Sequence, residues 1–331
     1  MTALLSALAA FLAAAFIGKP IIHFLKKKGL YGFKICDREG VLTPDTKPVS
    51  EMGGLIYLVG LLIGGIIALL ALLFTKDSET FSLASAAGKT IALLICTLLT
   101  GVIGLFDDWQ GVRKSFGAAS VIRLVLICMA GISFLIGLCL SGGRSTLVLI
   151  PFVGSQIDLG SGWTIVSLLL FLGFAYGGRQ LTASEGQSVS VSFALSLGTG
   201  GVFAVFAVKG LCDAVFASAG ALLAMLLFVF PPEKIREGMG IRMAGSVLPI
   251  MAGIAGGTSI FILFMGLPFI FEGIYAIIKL CAESFGKEIV PDTFGSFLME
   301  KGVSGKAVTG LYTLLTLIGA IAAIVSAMLY F

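Results

Sequence analysis

Apolar runs of roughly 17 to 25 residues recur along this chain from one end to the other, the length a helix needs to cross a hydrocarbon core of about 30 Å. Polar residues are confined to short segments between the runs. Ten spans can be marked, at about 2–24, 53–75, 85–105, 116–140, 162–178, 187–208, 212–230, 244–266, 267–282 and 307–331. The shortest tilt or pair as hairpins. The first run has no basic segment ahead of it and no small-residue cleavage site, which predicts a retained helix rather than a signal peptide. The pattern predicts an all-α polytopic membrane protein of about ten transmembrane helices, built as a single integral-membrane domain over residues 1–331. Between the fourth and fifth spans, SGGRSTLVLIPFVGSQIDLGS carries two short β-prone runs around a glycine-containing turn, a predicted external β-hairpin.

Composition strengthens this picture. The chain is 58% hydrophobic and only 12% charged, about half the charged share of an ordinary soluble domain. Its mean hydropathy is +1.08. No soluble domain fits between the spans, and nothing points to a nucleic-acid partner. The six cysteines are scattered with no C-x-x-C pair, so they read as packing residues.

Charge then sets the orientation. With the N-terminus outside, segments 25–52, 106–115, 179–186, 231–243 and 283–306 are cytoplasmic and hold fifteen Lys and Arg. The opposite side holds four, Lys76, Lys89, Arg144 and Lys209. The positive-inside rule selects this arrangement, which places both termini outside. Lys26, Lys27 and Lys28 read first as a topology signal that also attracts anionic lipid.

Candidate chemistry gathers on the cytoplasmic side. Asp107 and Asp108 follow directly on the third apolar run, in GVIGLFDDWQGVRK. Adjacent carboxylates at a membrane edge repel each other, and a divalent cation or the nearby Arg113 and Lys114 would stabilise both as anions. The plainer reading is that two acids mark where the helix leaves the membrane. Lys47 stands just before the second span, where its ammonium could reach a diphosphate at the surface, and Gly53 and Gly54 would let a backbone or ligand come close. Arg123, about two turns into the fourth span, either snorkels to the surface or faces the bundle interior beside the aspartates. Glu272 and Lys279 share a helical face, read as a half-exposed interfacial stripe. Glu233 and Glu237 have ready ion-pair partners in Lys234, Arg236 and Arg242.

These residues, in this order, resemble the polyprenyl-phosphate hexosamine-1-phosphate transferases, which include the bacterial MraY translocase and the dolichyl-phosphate enzymes. Lys47-Pro-Val-Ser-Glu-Met-Gly-Gly is similar to the family's K-P-x-x-P-x-M-G-G, G-L-F-D-D closes the third span, PFVGSQIDLG is similar to the family's hairpin, and FVFPPEK resembles F-N-x-x-P-A-K. The resemblance covers nearly the whole chain. It implies transfer of a sugar-1-phosphate, an N-acetylhexosamine, from a UDP-sugar to polyprenyl phosphate at the cytoplasmic face, with release of UMP. It also implies Mg²⁺ on Asp107 and Asp108, with Lys47 a phosphate-contacting base. Arg113, Lys114, Arg123, Arg179, Glu185, Gly53 and Gly54 would then be substrate-binding.

The chain departs from the family at three places. AYGGRQLTASEGQ puts Arg179 and Glu185 where the family has amides and an acid. REGMGIRMAGS puts Met239 where a metal-binding aspartate stands, and a thioether cannot replace a carboxylate for a hard ion. The last cytoplasmic loop, 283–306, has no histidine. The resemblance therefore supports a working transferase with a rearranged site, or a catalytically degenerate member that binds lipid phosphate or serves as a partner subunit, in a homodimer or with a paralogue. A transporter fits less well, because the charges gather at one face rather than near the midplane.

Overall fold

Backbone amides in lipid have no water to bond, so a chain this apolar must satisfy them within helices. The computed structural model, which describes residues 1–30, 49–50, 52–74, 80–112, 120–142, 146–184, 186–230, 235–284 and 293–330, does so. Its helices are α1 (Thr2–Lys27), α2 (Gly54–Phe74), α3 (Thr80–Val112), α4 (Ser120–Leu140), α5 (Trp163–Gln180), α6 (Gln187–Val205), α7 (Lys209–Val229), α8 (Gly238–Gly256), α9 (Ser259–Met265), α10 (Leu267–Ser284), α11 (Phe294–Glu300) and α12 (Gly305–Met328). Among the described residues nine helices are long and apolar enough to cross a membrane, and α9 with the first part of α10 is long and apolar enough only as a pair, bent by 81°. The all-α polytopic class read from the sequence is the class observed.

The element bounds differ from the sequence reading in three places. Helix α3 runs on through Asp107 and Asp108, so the acidic pair lies inside its last turns and not after its end. The stretch 244–266, read as one span, is divided. Helix α8 begins earlier and stops at Gly257, whose φ of 72° lets the chain turn left-handed while the Thr258 amide bonds the Gly253 carbonyl at 2.8 Å. After α9 the chain bends again at Gly266, and Pro268 sits in the first turn of α10, where its missing N–H costs no hydrogen bond. The short helix α11 had no signal in the apolar pattern.

Helices α6, α7 and α8 form the centre, and α1, α4 and α12 lie at the periphery with much of their surface outward. On α2, Leu62, Ile66, Leu70 and Leu73 are exposed, the arrangement of a helix whose solvent is lipid. Small residues fix the close crossings. A side chain at Gly60 would strike Ala14 and Ala221, and one at Gly64 would strike Ala10 and Ala217, so this pair seats α2 on α1 and α7. Two further glycine pairs at the same four-residue spacing, Gly173/Gly177 and Gly253/Gly257, work differently. Gly177 admits the Phe269 carbonyl of α10, Gly173 has open space before it, and Gly257 makes the turn just described. Gly220 of α7 lies against the Ala7 carbonyl of α1. Backbone cannot yield there as a flexible side chain would, so Gly220→Val is expected to destabilise by about 3 kcal/mol. Thermal unfolding in detergent would read this as a lower Tm, and an unchanged Tm would contradict the crossing.

The predicted hairpin forms. Strands β1 (Leu147–Leu149) and β2 (Gln156–Asp158) pair antiparallel, with Val148 opposite Ile157. The Leu149 amide bonds the Gly257 carbonyl at 3.0 Å, the Phe152 amide bonds Ser326 Oγ at 2.7 Å, and the Tyr330 hydroxyl bonds the Ile150 carbonyl. The hairpin thus ties together the ends of α8 and α12. Hydrogen bonds from Thr146 and the Gly160 amide hold the Asp158 carboxyl below its usual range. This end of the bundle is set by backbone pairing. The charged residues named from the sequence gather at the other.

Candidate functional site

At the end opposite the hairpin, α8 begins beneath the last turns of α3. Its first amides have no intrahelical acceptors, and Asp108 supplies them. Met239 N–H donates to Asp108 Oδ1 at 2.6 Å and Gly240 N–H to Oδ2 at 3.2 Å. A carboxylate at a helix N-terminus satisfies orphan donors and complements the helix dipole, and Asp108 does this across two helices. The approach is permitted by glycine. A side chain at Gly104 would strike Gly240 N and Cα at 2.7 Å, and one at Gly54 would strike Ile241 N at 2.9 Å. Gly53 lies against the Arg236 carbonyl, and its own N–H donates to that oxygen at 3.1 Å, while Arg236 N–H donates to the Ser50 carbonyl at 2.8 Å. What Gly53 and Gly54 admit closely is therefore the backbone of residues 236–241.

Asp107 faces α4. Arg123 Nε lies 2.6 Å from its Oδ2, with both side chains largely buried. The contact is Coulombic, since neither atom makes an aligned hydrogen bond. Of the two places open to Arg123, the structure gives the one beside the aspartates. Helix α5 brings Arg179 to the same place. A side chain at Gly178 would meet the Arg242 carbonyl of α8 and Ser246 Oγ, so the end of α5 sits directly on α8. Arg179 lies within electrostatic reach of Arg123, Arg242, Asp107 and Tyr176.

Arg242 is held from below by Glu237. This carboxylate is fully buried, takes Arg242 Nε at 3.0 Å and accepts the Val189 amide of α6 at 3.4 Å. The pairing of Glu237 with Arg242 follows the ion-pair reading of the sequence, but its burial was not legible there. Glu272 corrects the sequence reading outright. It is no half-exposed stripe, being only 1% exposed, with Phe294 N–H at 3.0 Å, Gly295 N–H at 2.8 Å and the Tyr312 hydroxyl at 2.8 Å all donating to it. Its task is to fasten the 293–300 segment and α12 to α10.

Lys47, Arg113, Lys114 and Glu185 lie outside the described residues. Among the sites named from sequence, the structure brings together Asp107, Asp108, Arg123 and Arg179, and adds Arg242 and Glu237. The signal that would have found Arg242 is its place four residues after Gly238, one turn into a helix whose N-terminus meets the aspartates.

The donor set can be tested against magnesium. Mg²⁺ wants several oxygen ligands in near-octahedral array. Among the described residues no three His, Cys, Asp or Glu side chains stand together. Both Asp108 oxygens are engaged by α8, Asp107 is held by Arg123, and Met239 points a thioether-bearing residue where the resemblance asks for a carboxylate. These residues do not fit a magnesium site, so no step is derived through the ion.

Fold and site together define a class: an integral membrane protein whose central helices carry a compact charged cluster to one end of the bundle. No protein-family model matches the chain. Curated relatives do. Over 232 residues the chain is 28% identical to the phospho-N-acetylmuramoyl-pentapeptide-transferase of Halalkalibacterium halodurans, covering 68% of this chain and 70% of that protein. Over 254 residues it is 27% identical to the phospho-N-acetylmuramoyl-pentapeptide-transferase of Prochlorococcus marinus, covering 72% and 65%. Over 299 residues it is 27% identical to the phospho-N-acetylmuramoyl-pentapeptide-transferase of Bacillus thuringiensis, covering 86% and 85%. The chain's curated homologues are thus phospho-N-acetylmuramoyl-pentapeptide-transferases, and they support an MraY-like family.

Proposed function

We propose that this chain transfers a sugar-1-phosphate, an N-acetylhexosamine phosphate, from a UDP-sugar to a polyprenyl phosphate at the cytoplasmic membrane face, with both chain termini outside. The observation that carries this reading is the charged cluster at one end of the bundle in a homologue of phospho-N-acetylmuramoyl-pentapeptide-transferases. The fifteen Lys and Arg on the same side of the topology support the face.

In this reading a phosphate oxygen of the lipid attacks the sugar-bearing phosphorus of the UDP-sugar. A new P–O bond forms, the bond from that phosphorus to the bridging oxygen breaks, and UMP leaves with the electron pair. A phosphate monoester is largely dianionic at neutral pH, its second pKa being about 6, so the attacking oxygen needs no general base. The difficulty is bringing two anions together. Guanidinium groups lower that barrier by placing positive charge where the phosphates meet. Arg123 and Arg179 would contact phosphate, and the resemblance adds Lys47, Arg113, Lys114 and Glu185 as substrate-binding residues. Asp107 orients Arg123. Asp108 acts through α8, whose first turn it holds in place.

The experiment is UMP release by the purified chain in detergent with UDP-N-acetylglucosamine and polyprenyl phosphate. The parent is expected to release UMP, and Asp107→Asn, Asp108→Asn to lose at least tenfold in rate, about 1.4 kcal/mol of barrier. A double variant as active as the parent would remove the site assignment. Absence of release with every UDP-sugar would remove the transferase reading.

A second reading has its own observation. Both Asp108 oxygens serve α8, and Met239 stands where the resemblance asks for a ligand aspartate. A chain so altered would keep the lipid-phosphate site and act as a binding subunit, alone as a homodimer or beside an intact paralogue. Copurification with polyprenyl phosphate or with the paralogue, without UMP release, is its positive result.

A further inference from the structure

We infer that this chain binds a phosphate group without a divalent metal, by three guanidinium groups carried on α4, α5 and α8: Arg123, Arg179 and Arg242. The inference rests on the proposed function for its ligand class only, a phosphate monoester or diphosphate.

Continuous contacts bring the three together. Asp107 of α3 holds Arg123 of α4 at 2.6 Å, and its neighbour Asp108 bonds the Met239 amide, one turn before Arg242 in α8. Gly178 packs on the backbone of Arg242 and delivers the adjoining Arg179 from α5. Arg179 then feels Arg123 and Arg242 as like charges and Asp107 as an opposite one. Two carboxylates serve two of the cations, Asp107 for Arg123 and Glu237 for Arg242. Among the described residues Arg179 has no salt bridge, and its side chain is only partly buried. Arg123 and Arg242 thus each have a carboxylate, and Arg179 is the member of the three whose charge an incoming anion would meet.

The chemistry of the cluster selects the anion. Planar guanidinium forks match phosphate oxygens bidentately, and their charge does not depend on pH. The resemblance puts Met239 where a metal-binding carboxylate would stand, and Arg179 and Arg242 place fixed positive charge within electrostatic reach of each other. Arg242 enters as a phosphate-binding residue, and Glu237, which holds its guanidinium, as a positioning residue.

The test uses the full chain in phosphatidylcholine nanodiscs. Binding of polyprenyl phosphate and of UDP-N-acetylglucosamine is measured in separate arms, each in excess EDTA and in excess Mg²⁺. At least one ligand is expected to bind in EDTA with a Kd within about twofold of its value in Mg²⁺. Arg179→Gln is expected to weaken that binding about tenfold at unchanged Tm, with Arg179→Lys recovering part of the loss. Arg179 is the right residue to vary because, among the described residues, no carboxylate is salt-bridged to it. The arm that responds names the source of the phosphate. Binding that appears only with Mg²⁺, binding indifferent to Arg179→Gln in both arms, or no binding of either ligand would overturn the inference. Magnesium-dependent UMP release would leave the proposed transferase standing and remove this inference. Phosphate binding in EDTA without UMP release would do the reverse.

Discussion

Glu272→Ala is expected to cost about 4 kcal/mol of stability. The carboxylate is buried and accepts from two backbone amides and one phenol, and alanine leaves all three donors without their partner. Each stranded buried donor costs about 1–3 kcal/mol. The cavity would add to this and local relaxation would subtract. Glu272→Gln keeps one acceptor oxygen and is expected to lose roughly half as much. Removing the phenol as well, in Glu272→Ala, Tyr312→Phe, should recover about 1 kcal/mol, because one orphan disappears. Thermal unfolding in detergent checks the series. Limited proteolysis should cut near residues 293–300 first in the alanine variant, since Glu272 is what fastens that segment. A loss under about 1 kcal/mol in Glu272→Ala would show that the clamp does not exist.

Asp108→Ala and Asp107→Ala are each expected to cost about 3 kcal/mol, for different reasons. The two acids are neighbours in sequence and differ in what depends on them. Asp108 accepts the Met239 and Gly240 amides at the start of α8, charge-assisted bonds worth about 1.5–3 kcal/mol each when broken from one side. Asp107 makes one ion pair with Arg123, and removing the carboxylate alone strands a largely buried guanidinium beside Arg179, a cost of about 3 kcal/mol or more. Asp108→Asn should restore part of the loss through its amide oxygen. Adding Arg123→Met is expected to recover much of the loss in Asp107→Ala, where no guanidinium is then stranded, and nothing in Asp108→Ala. Tm values for the variants check this, and equal recovery at the two positions would contradict the different roles assigned to them.

Much of the fold was legible because lipid makes the code simple. A helix that must span about 30 Å announces itself by length, and Gly60 with Gly64 announces a close crossing, since both seat α2 on its neighbours. The code fails where a helix need not span. Helix α11 has seven residues and is held by Glu272 rather than by an apolar run of its own. The break at Gly257 was hidden because Gly253 and Gly257 also fit a packing motif, and only the left-handed φ separates a turn from a crossing.

The site was legible in part for a related reason. Asp107, Asp108 and Arg123 could be named because charge at a membrane edge is costly and therefore conspicuous, and Arg179 because the resemblance marked its place. Glu272 was misjudged because its helix was read alone, while its partners come from residues 294, 295 and 312. Arg242 and Glu237 seemed an ordinary surface pair. Their burial depends on α6, whose Val189 amide bonds Glu237, and that contact spans 48 positions of sequence. Side-chain identity gave the chemistry, but which carboxylate serves structure and which serves charge is decided by helix ends that meet only in three dimensions.

The central claim, a transferase acting on polyprenyl phosphate, is tested most directly by the mass spectrum of the lipid. Polyprenyl phosphate incubated with the purified chain and UDP-N-acetylglucosamine is expected to gain the mass of one N-acetylhexosamine phosphate, with UMP appearing in equal amount. Lipid of unchanged mass with every UDP-sugar offered, from protein that still binds polyprenyl phosphate, would contradict it.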